Sequence, residues 1–267
     1  HFPKLHKGIA MRNRIIHTAL PAFAVLSSLL LPLNAIAHEH QAKGAASAEA
    51  PKMDITIDDL GGDFYRLVGP GGNIGVSIGI DGIFVIDDKF DRFADQIIAQ
   101  LRTLSDAPIR YVINTHYHGD HTGANGAMKD SGAVIVAHDN VRTRMGMTFE
   151  NKLWGSTVKA TEPRQWPVVT FSDTATFHIN GQTAQIMHTP SAHTDGDSIV
   201  YFKDANILHM GDNFFHGMFP YVDIDGGGSL QGMIAAHDKA LALVDDDTQI
   251  IKYLLFIQPD LIGGLLQ

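Results

Sequence analysis

The sequence contains no cysteine in its 267 residues. Disulfide bonds, thiolate metal ligands and a cysteine nucleophile are therefore excluded. The glycine-rich segment at residues 69–72 lacks a following Lys-Ser/Thr pair, so it does not have the pattern of a phosphate-binding loop. We interpret it instead as a hairpin loop that borders a functional site.

Positive charge is also scarce, because 20 Lys and Arg residues are outnumbered by 29 Asp and Glu residues. Nucleic-acid binding depends on Lys and Arg side chains that meet phosphates. The formal net charge of −9 therefore argues against a nucleic-acid partner. A small-molecule substrate is the expected partner, and the sequence does not indicate an oligomeric state.

The N-terminal segment has the pattern of a secretory signal peptide. Basic residues follow Met11, an apolar stretch runs from about residue 19 to residue 33, and a small-x-small cleavage pattern ends at Ala37. Residues 1–37 are therefore expected to be upstream residues plus a signal peptide, which leaves a periplasmic or secreted protein with no stable membrane anchor. Their removal takes away four basic and no acidic residues, so the net charge changes from −9 to −13.

The remaining chain divides into a leader and one domain. Residues 38–53 are rich in Ala, Glu and Gln without periodicity, which predicts a flexible leader, and residues 54–267 form the expected domain. Short apolar runs between glycine-rich turns at residues 55–86 predict antiparallel hairpins. Helical spacing predicts helices at 90–104, 138–147 and 230–243, while residues 150–167 look irregular. Two strand-rich halves, each with helices, predict two sheets packed face to face with helices outside.

Residues 116–121 read His-Tyr-His-Gly-Asp-His and follow a strand-like run at 109–114. Imidazole nitrogens and carboxylate oxygens are the ligands that zinc prefers when thiolate is absent. Two further segments add the same chemistry, because His193 lies in a turn between predicted strands and Asp212 follows another predicted strand. Loops at strand ends are where rigid scaffolds present functional side chains.

These three segments, in this order, resemble the motifs of the metallo-β-lactamase superfamily. The resemblance implies an α+β fold, a four-layer αββα sandwich, with a site for up to two Zn²⁺ ions at the sheet edges. Its implied metal ligands, carried over by position, are His116, His118 and His193 for the first ion, Asp120 and His121 for the second, and Asp212 bridging or binding the second.

The sequence departs from the family pattern after Ile251, where a further His motif is expected and an apolar segment follows instead. We interpret this tail as a frameshift or truncation that leaves the second zinc site incomplete. His209, His216 and His237 are candidates for a replacement ligand, and His216 is the best placed. His216 and Phe215 are also the candidate substrate-binding residues.

The expected activity is zinc-dependent hydrolysis, in which a metal-activated hydroxide oriented by Asp120 attacks a carbonyl carbon. The candidate substrates contain an amide, lactone or ester bond, β-lactams among them. Two alternatives stay open: a thioesterase of the glyoxalase II kind, and a zinc-binding protein with impaired catalysis. An iron redox enzyme is less favoured, because di-iron members of the family have Glu where this chain has His118.

Overall fold

A computed structural model describes residues 54–153 and 155–253, and the structural statements below concern these residues. The predicted signal peptide and leader, Trp154 and the apolar tail from residue 254 onward lie outside them. No described helix has the length and apolar character needed to cross a membrane.

The first sheet has seven strands, and its parallel half positions the His motif. The strands in chain order, with the small hairpin that interrupts them, are β1 (Thr56–Gly61), β2 (Phe64–Val68), β3 (Ile74–Gly79), β4 (Gly82–Ile86), β5 (Ile109–Asn114), β6 (Val134–His138), the separate hairpin β7 (Phe149–Asn151) and β8 (Ser156–Val158), and β9 (Val169–Phe171). The sheet order is β1-β2-β3-β4-β5-β6-β9. The antiparallel hairpins from β1 to β4 confirm the prediction from the glycine-rich turns, whereas β4, β5, β6 and β9 are parallel.

The second sheet has five strands in sequence order. They are β10 (Thr174–Ile179), β11 (Gln182–His188), β12 (Ser198–Phe202), β13 (Ile207–His209) and β14 (Gln249–Ile251). All neighbouring pairs are antiparallel except β13 and β14, which run parallel. The turn after β11 and the end of β13 therefore carry two further chain segments to the same edge region as β5.

Five α-helices accompany the sheets: α1 (Ala94–Leu104), α2 (Gly119–Thr122), α3 (Asn125–Asp130), α4 (Asp139–Met145) and α5 (Leu230–Leu241). The buried face of α1 packs on the first sheet together with residues of α3. Ala240 of α5 packs against Ile199 and Leu208 of the second sheet. Helices thus cover the outer faces of both sheets.

A second apolar core lies between the two sheets. Phe64 and Phe84 from the first sheet meet Phe202 from the second, with ring centroids 4.6 Å and 5.7 Å apart, respectively. Buried aliphatic side chains of both sheets complete this layer. Burial of apolar surface is the main favourable contribution to folding, so this core fixes the two sheet edges relative to each other. The αββα sandwich predicted from the sequence is confirmed.

Two local features differ from a simple reading of the sequence. The segment predicted to be irregular, residues 150–167, contains β8 and part of β7, so that prediction was wrong there. Residues 75–79 spell Gly-Val-Ser-Ile-Gly, the letters of a serine-hydrolase elbow. Ser77 is nevertheless 1% exposed within β3, where its hydroxyl accepts a hydrogen bond from Asn180 Nδ2, so it is not placed as a nucleophile.

Candidate metal centre

The His motif begins where β5 ends at the parallel edge of the first sheet. Asn114, the last residue of β5, donates from its side chain to the His121 carbonyl oxygen at 3.0 Å and thereby closes the loop on itself. The backbone of His118 is extended (φ −62°, ψ 148°), and α2 begins directly after it. This short loop turns the side chains of the motif toward the second sheet.

Four side chains from three loops converge on one point. His116, His118, His193 and Asp212 each offer one ligand atom, and these atoms lie within 4.8 Å of one another. His118 Nδ1 is 3.1 Å from His116 Nε2 and 3.0 Å from His193 Nε2. Zn–N bonds of about 2.0–2.1 Å in a tetrahedron require nitrogens about 3.3 Å apart. The observed spacing is close to that value.

The other ring nitrogen of each histidine has a hydrogen-bond acceptor. The three bonds are His118 Nε2 to Asp223 Oδ2 at 2.9 Å, His193 Nδ1 to the Tyr221 carbonyl oxygen at 2.7 Å, and His116 Nδ1 to Thr115 Oγ1 at 3.1 Å. Because these nitrogens carry the hydrogen, the three converging nitrogens present lone pairs. Such partners fix the tautomer and orientation of metal-binding histidines.

Two of the converging imidazoles, those of His116 and His193, are held in the neutral form. Burial lowers the pKa of His116 well below its ordinary value and lowers the pKa of His193 to about 4. Three lone pairs that face one another at 3.0–3.1 Å repel unless a cation lies among them. The residues present therefore fit a divalent metal ion.

A second cluster lies beside the first and shares Asp212. His121 Nε2 is 3.1 Å from Asp212 Oδ1 and 3.6 Å from Asp120 Oδ2. His121 Nε2 and Asp212 Oδ1 are buried without an aligned hydrogen-bond partner. Burial opposes charge on His121, yet the carboxylates of Asp212, Asp120 and Asp87 raise its pKa well above the ordinary value. The cluster thus requires positive charge at Nε2, which a metal ion supplies when it displaces the proton.

Asp87 connects the two clusters from behind. Its carboxylate is fully buried and accepts bonds from Thr115 N at 2.7 Å, Thr115 Oγ1 at 2.8 Å and His121 Nδ1 at 2.7 Å. Thr115 Oγ1 in turn accepts the bond from His116 Nδ1. One carboxylate therefore orients a histidine in each cluster.

Glycines allow the surrounding loops to approach the clusters closely. Gly211 has a positive φ of 54°, and a side chain there would meet Thr115 Oγ1 at 2.7 Å. The loop at residues 69–72 lies against the second cluster, as expected from the sequence, since a Cβ on Gly72 would meet the ring of His121. Lys89, which is fully buried, donates to the carbonyl oxygens of Gly69 and Gly72 and so anchors this loop. Burial lowers the pKa of Lys89 to about 8.

A pocket of about 440 Å³ opens above the clusters. Its lining combines candidate ligands with aromatic and apolar side chains: Phe90, Tyr117, His118, Gly119, Asp120, Asn151, Ser156, Val158, Asp212, Phe215, Met218, Tyr221, Asp223 and Tyr253. Candidate ligands at the floor and an aromatic wall give a concave site of the size that holds a small molecule.

Comparison with known proteins identifies the family. The sequence profile of the metallo-beta-lactamase superfamily matches residues 85–251, which include all three ligand-bearing loops. The chain belongs to this superfamily. The group of His and Asp side chains that can hold a metal ion lies within the residues that match the family.

Solved metallo-beta-lactamases share the fold. A metallo-beta-lactamase from Pontibacter korlensis has 15% identity and a TM-score of 0.60, with 74% of this chain and 90% of that chain covered. The B3 metallo-beta-lactamase BLEG-1 has 22% identity and a TM-score of 0.57, with 74% and 90% covered. A double mutant of the sec-alkyl sulfatase PisA1 has 16% identity and a TM-score of 0.54, with 74% and 38% covered. At these identities the similarity shows the fold alone.

The protein is also similar to the lactamase-like protein nscB of the fungus Arthroderma gypseum. The two are 31% identical over 110 residues, which are 41% of this chain. The match spans only 28% of that protein, so most of the relative's length lies outside the match.

The structure brings the six candidate ligands into the two adjoining clusters and separates them from most other histidines. Phe215 is buried beside the clusters, with its ring 4.9 Å from that of Tyr253, and lines the pocket. His216 is exposed and is not among the lining residues. His209 is buried and bonds to backbone through both ring nitrogens, and His237 bonds to the Met233 carbonyl oxygen.

Sequence reasoning missed the residues that hold the ligands in place. Asp87, Thr115 and Asp223 touch three of the histidines, and Lys89 anchors the adjacent loop. Asp87 directly follows a buried apolar strand, which is a signal that could have identified it. Asp223 lies in a loop with no comparable pattern.

Proposed function

We propose that the protein is a zinc-dependent hydrolase that cleaves an amide, lactone or ester bond of a small molecule. The observation that carries the proposal is the convergence of three imidazole lone pairs and two oxygens of Asp212 in two adjoining clusters. Imidazole and carboxylate ligands without thiolate suit Zn²⁺, and the clusters offer ligands for up to two ions.

The protein's own side chains have distinct roles in this proposal. A divalent ion held here supplies a Lewis acid that lowers the pKa of water and polarises a carbonyl oxygen. Asp120 lines the pocket, and its side chain is 19% exposed, so its carboxylate can reach both the ligands and the substrate. We assign to Asp120 the orientation of the attacking water and the acceptance of its proton. Phe215 and Tyr221 give the pocket an aromatic wall.

The proposal specifies one reaction class, hydrolysis, and two kinds of candidate substrate. β-Lactams are one candidate, supported by export of the protein to the periplasm or medium, which we infer from the signal-peptide pattern at residues 11–37. Thioester hydrolysis of the glyoxalase II kind is the second candidate. The resemblance also gives an argument against β-lactams, because the best-known β-lactam-hydrolysing subclass has a Lys at the position of Phe215.

The proposal is tested by substitution of two residues with different roles. We expect His118→Ala and Asp120→Ala to abolish turnover of nitrocefin, lactone and thioester substrates while circular dichroism stays near native. His178→Ala is the matched control, because His178 is an exposed histidine on β10. Full activity in either pocket variant would contradict the assigned roles.

The alternative to an enzyme is a protein that binds metal but does not catalyse a reaction. The two are separated by a metal count and activity assays on the same purified sample. Bound zinc with no turnover of any of the three substrate types would favour the alternative.

A further inference from the structure

We propose that the substrate has no anionic group and carries an apolar tail that lies in a second pocket beside the metal centre. This inference rests on the proposed function and specifies the substrate class of the same site. It follows from the charges that line the first pocket, from the apolar pocket next to it and from the two residues that line both pockets.

The first pocket has no Lys or Arg among the residues described as its lining. Cationic side chains nearby are already engaged. Lys89 donates to two carbonyl oxygens, and Arg144 Nη2 pairs with Asp195 Oδ2 at 2.6 Å. Arg92 stacks on the ring of Phe90, 4.2 Å from its centroid, and is not part of the lining. A carboxylate or phosphate remote from the scissile bond would therefore find no side-chain cation in the described part of the pocket.

The acidic side chains of the pocket add repulsion to this lack of cations. Asp120, Asp212 and Asp223 all line it. Asp120 and Asp212 belong to the metal clusters, and Asp223 lies at the junction with the second pocket. The Asp223 carboxylate accepts hydrogen bonds from Tyr117 Oη, His118 Nε2 and the backbone N–H of Gly226. A negatively charged tail that passes Asp223 would meet a like charge, which disfavours anionic substrates.

The second pocket, of about 450 Å³, adjoins the first, because Tyr221 and Asp223 line both. Its apolar lining consists of Leu153, Val222 and Ile224. Lys152 Nζ and Asp225 Oδ1, which complete the lining, are paired at 3.8 Å and so leave no net charge.

Two apolar side chains of this second pocket are largely exposed to solvent, and an apolar part of a bound ligand would bury them. Leu153 is 67% exposed and Ile224 is 76% exposed, and Met218 at the edge of the first pocket is 40% exposed. Clustered exposed apolar side chains beside a polar site mark ligand-binding grooves. An acyl or alkyl tail, attached to a group held over the metal centre, would cover them.

A homologous series of p-nitrophenyl esters, from acetate to octanoate, tests the inference on the zinc-loaded protein. We expect kcat/KM to rise by about twofold per methylene, the gain for a chain about half buried in the pocket. We also expect the mono-p-nitrophenyl ester of adipic acid, which ends in a carboxylate, to be at least about tenfold poorer than p-nitrophenyl hexanoate, as the unpaired charge implies.

Two variants separate the second pocket from general hydrophobicity. Ile224→Asp should flatten the octanoate-to-acetate ratio, because it places a carboxylate in the apolar lining. Ile80→Asp is the matched control, since Ile80 is 98% exposed between β3 and β4, and should keep the wild-type ratio. A ratio near one in the wild type, or an unchanged ratio in Ile224→Asp, would overturn the inference while leaving zinc-dependent hydrolysis intact.

A binding measurement covers the case in which no ester is hydrolysed and the proposed function itself fails. Calorimetric titration with N-alkyl acetamides of two to eight alkyl carbons reports on the pocket without turnover. Affinity that rises with chain length in the wild type and the Ile80→Asp control, but not in Ile224→Asp, would support the pocket assignment. Affinity independent of chain length would refute it.

Discussion

Gly72 provides the sharpest test of the second cluster. A Cβ at this position would lie 2.1 Å from His121 Cε1, 2.5 Å from Nε2 and 2.7 Å from Nδ1. The backbone of Gly72 is not among those with positive φ, so other residues can adopt its conformation. The effect of Gly72→Ala is therefore the displacement of one imidazole ring.

The size of the effect follows from the overlap. Real Cβ contacts essentially never fall under 3.0 Å, so the ring of His121 has to move by about 1 Å or the loop has to open. A displacement of this order in a functional group lowers the reaction rate by about 10²-fold. Overpacking lowers the free energy of unfolding by about 1–3 kcal/mol. The bond from His121 Nδ1 to Asp87 Oδ2, 2.7 Å long, would be lost or bent. We expect the metal affinity of the second cluster to fall by about 10–100-fold or more.

The assay is the stoichiometry of bound zinc after dialysis against buffered free metal. We expect Gly72→Ala to lose the zinc of the second cluster and to keep that of the first, because the three atoms nearest to a Cβ at this position all belong to His121. Gly119→Ala is the matched control, since no heavy atom lies within 4 Å of a Cβ there. A second ion bound by Gly72→Ala with wild-type affinity would refute the reasoning.

Three further predictions follow from the residues that hold the ligands. Asp223→Asn should weaken zinc binding by about 10–100-fold, measured by competition with a chelator, because His118 loses its carboxylate partner; unchanged affinity would contradict this. Asp87→Asn should weaken binding at both clusters, seen as two shifted steps in the same titration, whereas a shift in one step alone would contradict its connecting role. For Lys89, burial lowers the folded-state pKa to about 8 from the ordinary 10.5, so the unfolded chain binds more protons between these values. Its contribution to the unfolding free energy of the metal-free protein should therefore rise by up to about 3 kcal/mol from pH 8 to pH 10.5, and denaturant titrations of Lys89→Met should lack that rise.

The metal-binding motif was predictable because its chemistry is local in sequence. Three histidines and an aspartate within residues 116–121 directly follow an apolar strand, and β5 is observed there. His193 and Asp212 were predictable for a related reason, because each lies next to an apolar segment that forms a strand. Alternation of apolar residues also predicted most strands and both sheets, since one face of each strand is buried.

The roles of the supporting residues were not predictable, because these roles depend on contacts between distant segments. Asp87 lies 28 residues from Thr115, and Asp223 lies 105 residues from His118. Single acidic residues in loops are usually solvated, and only the folded arrangement buries these two beside imidazoles. The hairpin of β7 and β8 escaped prediction because each strand has only three residues and neither has a clear apolar alternation.

The central claim is that His116, His118, His193 and Asp212 surround a divalent metal ion. Anomalous diffraction at the zinc absorption edge, from crystals grown with Zn²⁺, tests it directly. The account predicts a peak about 2.0–2.1 Å from the converging nitrogens of the three histidines. Ordered imidazoles with no peak among them, in the presence of excess Zn²⁺, would contradict it.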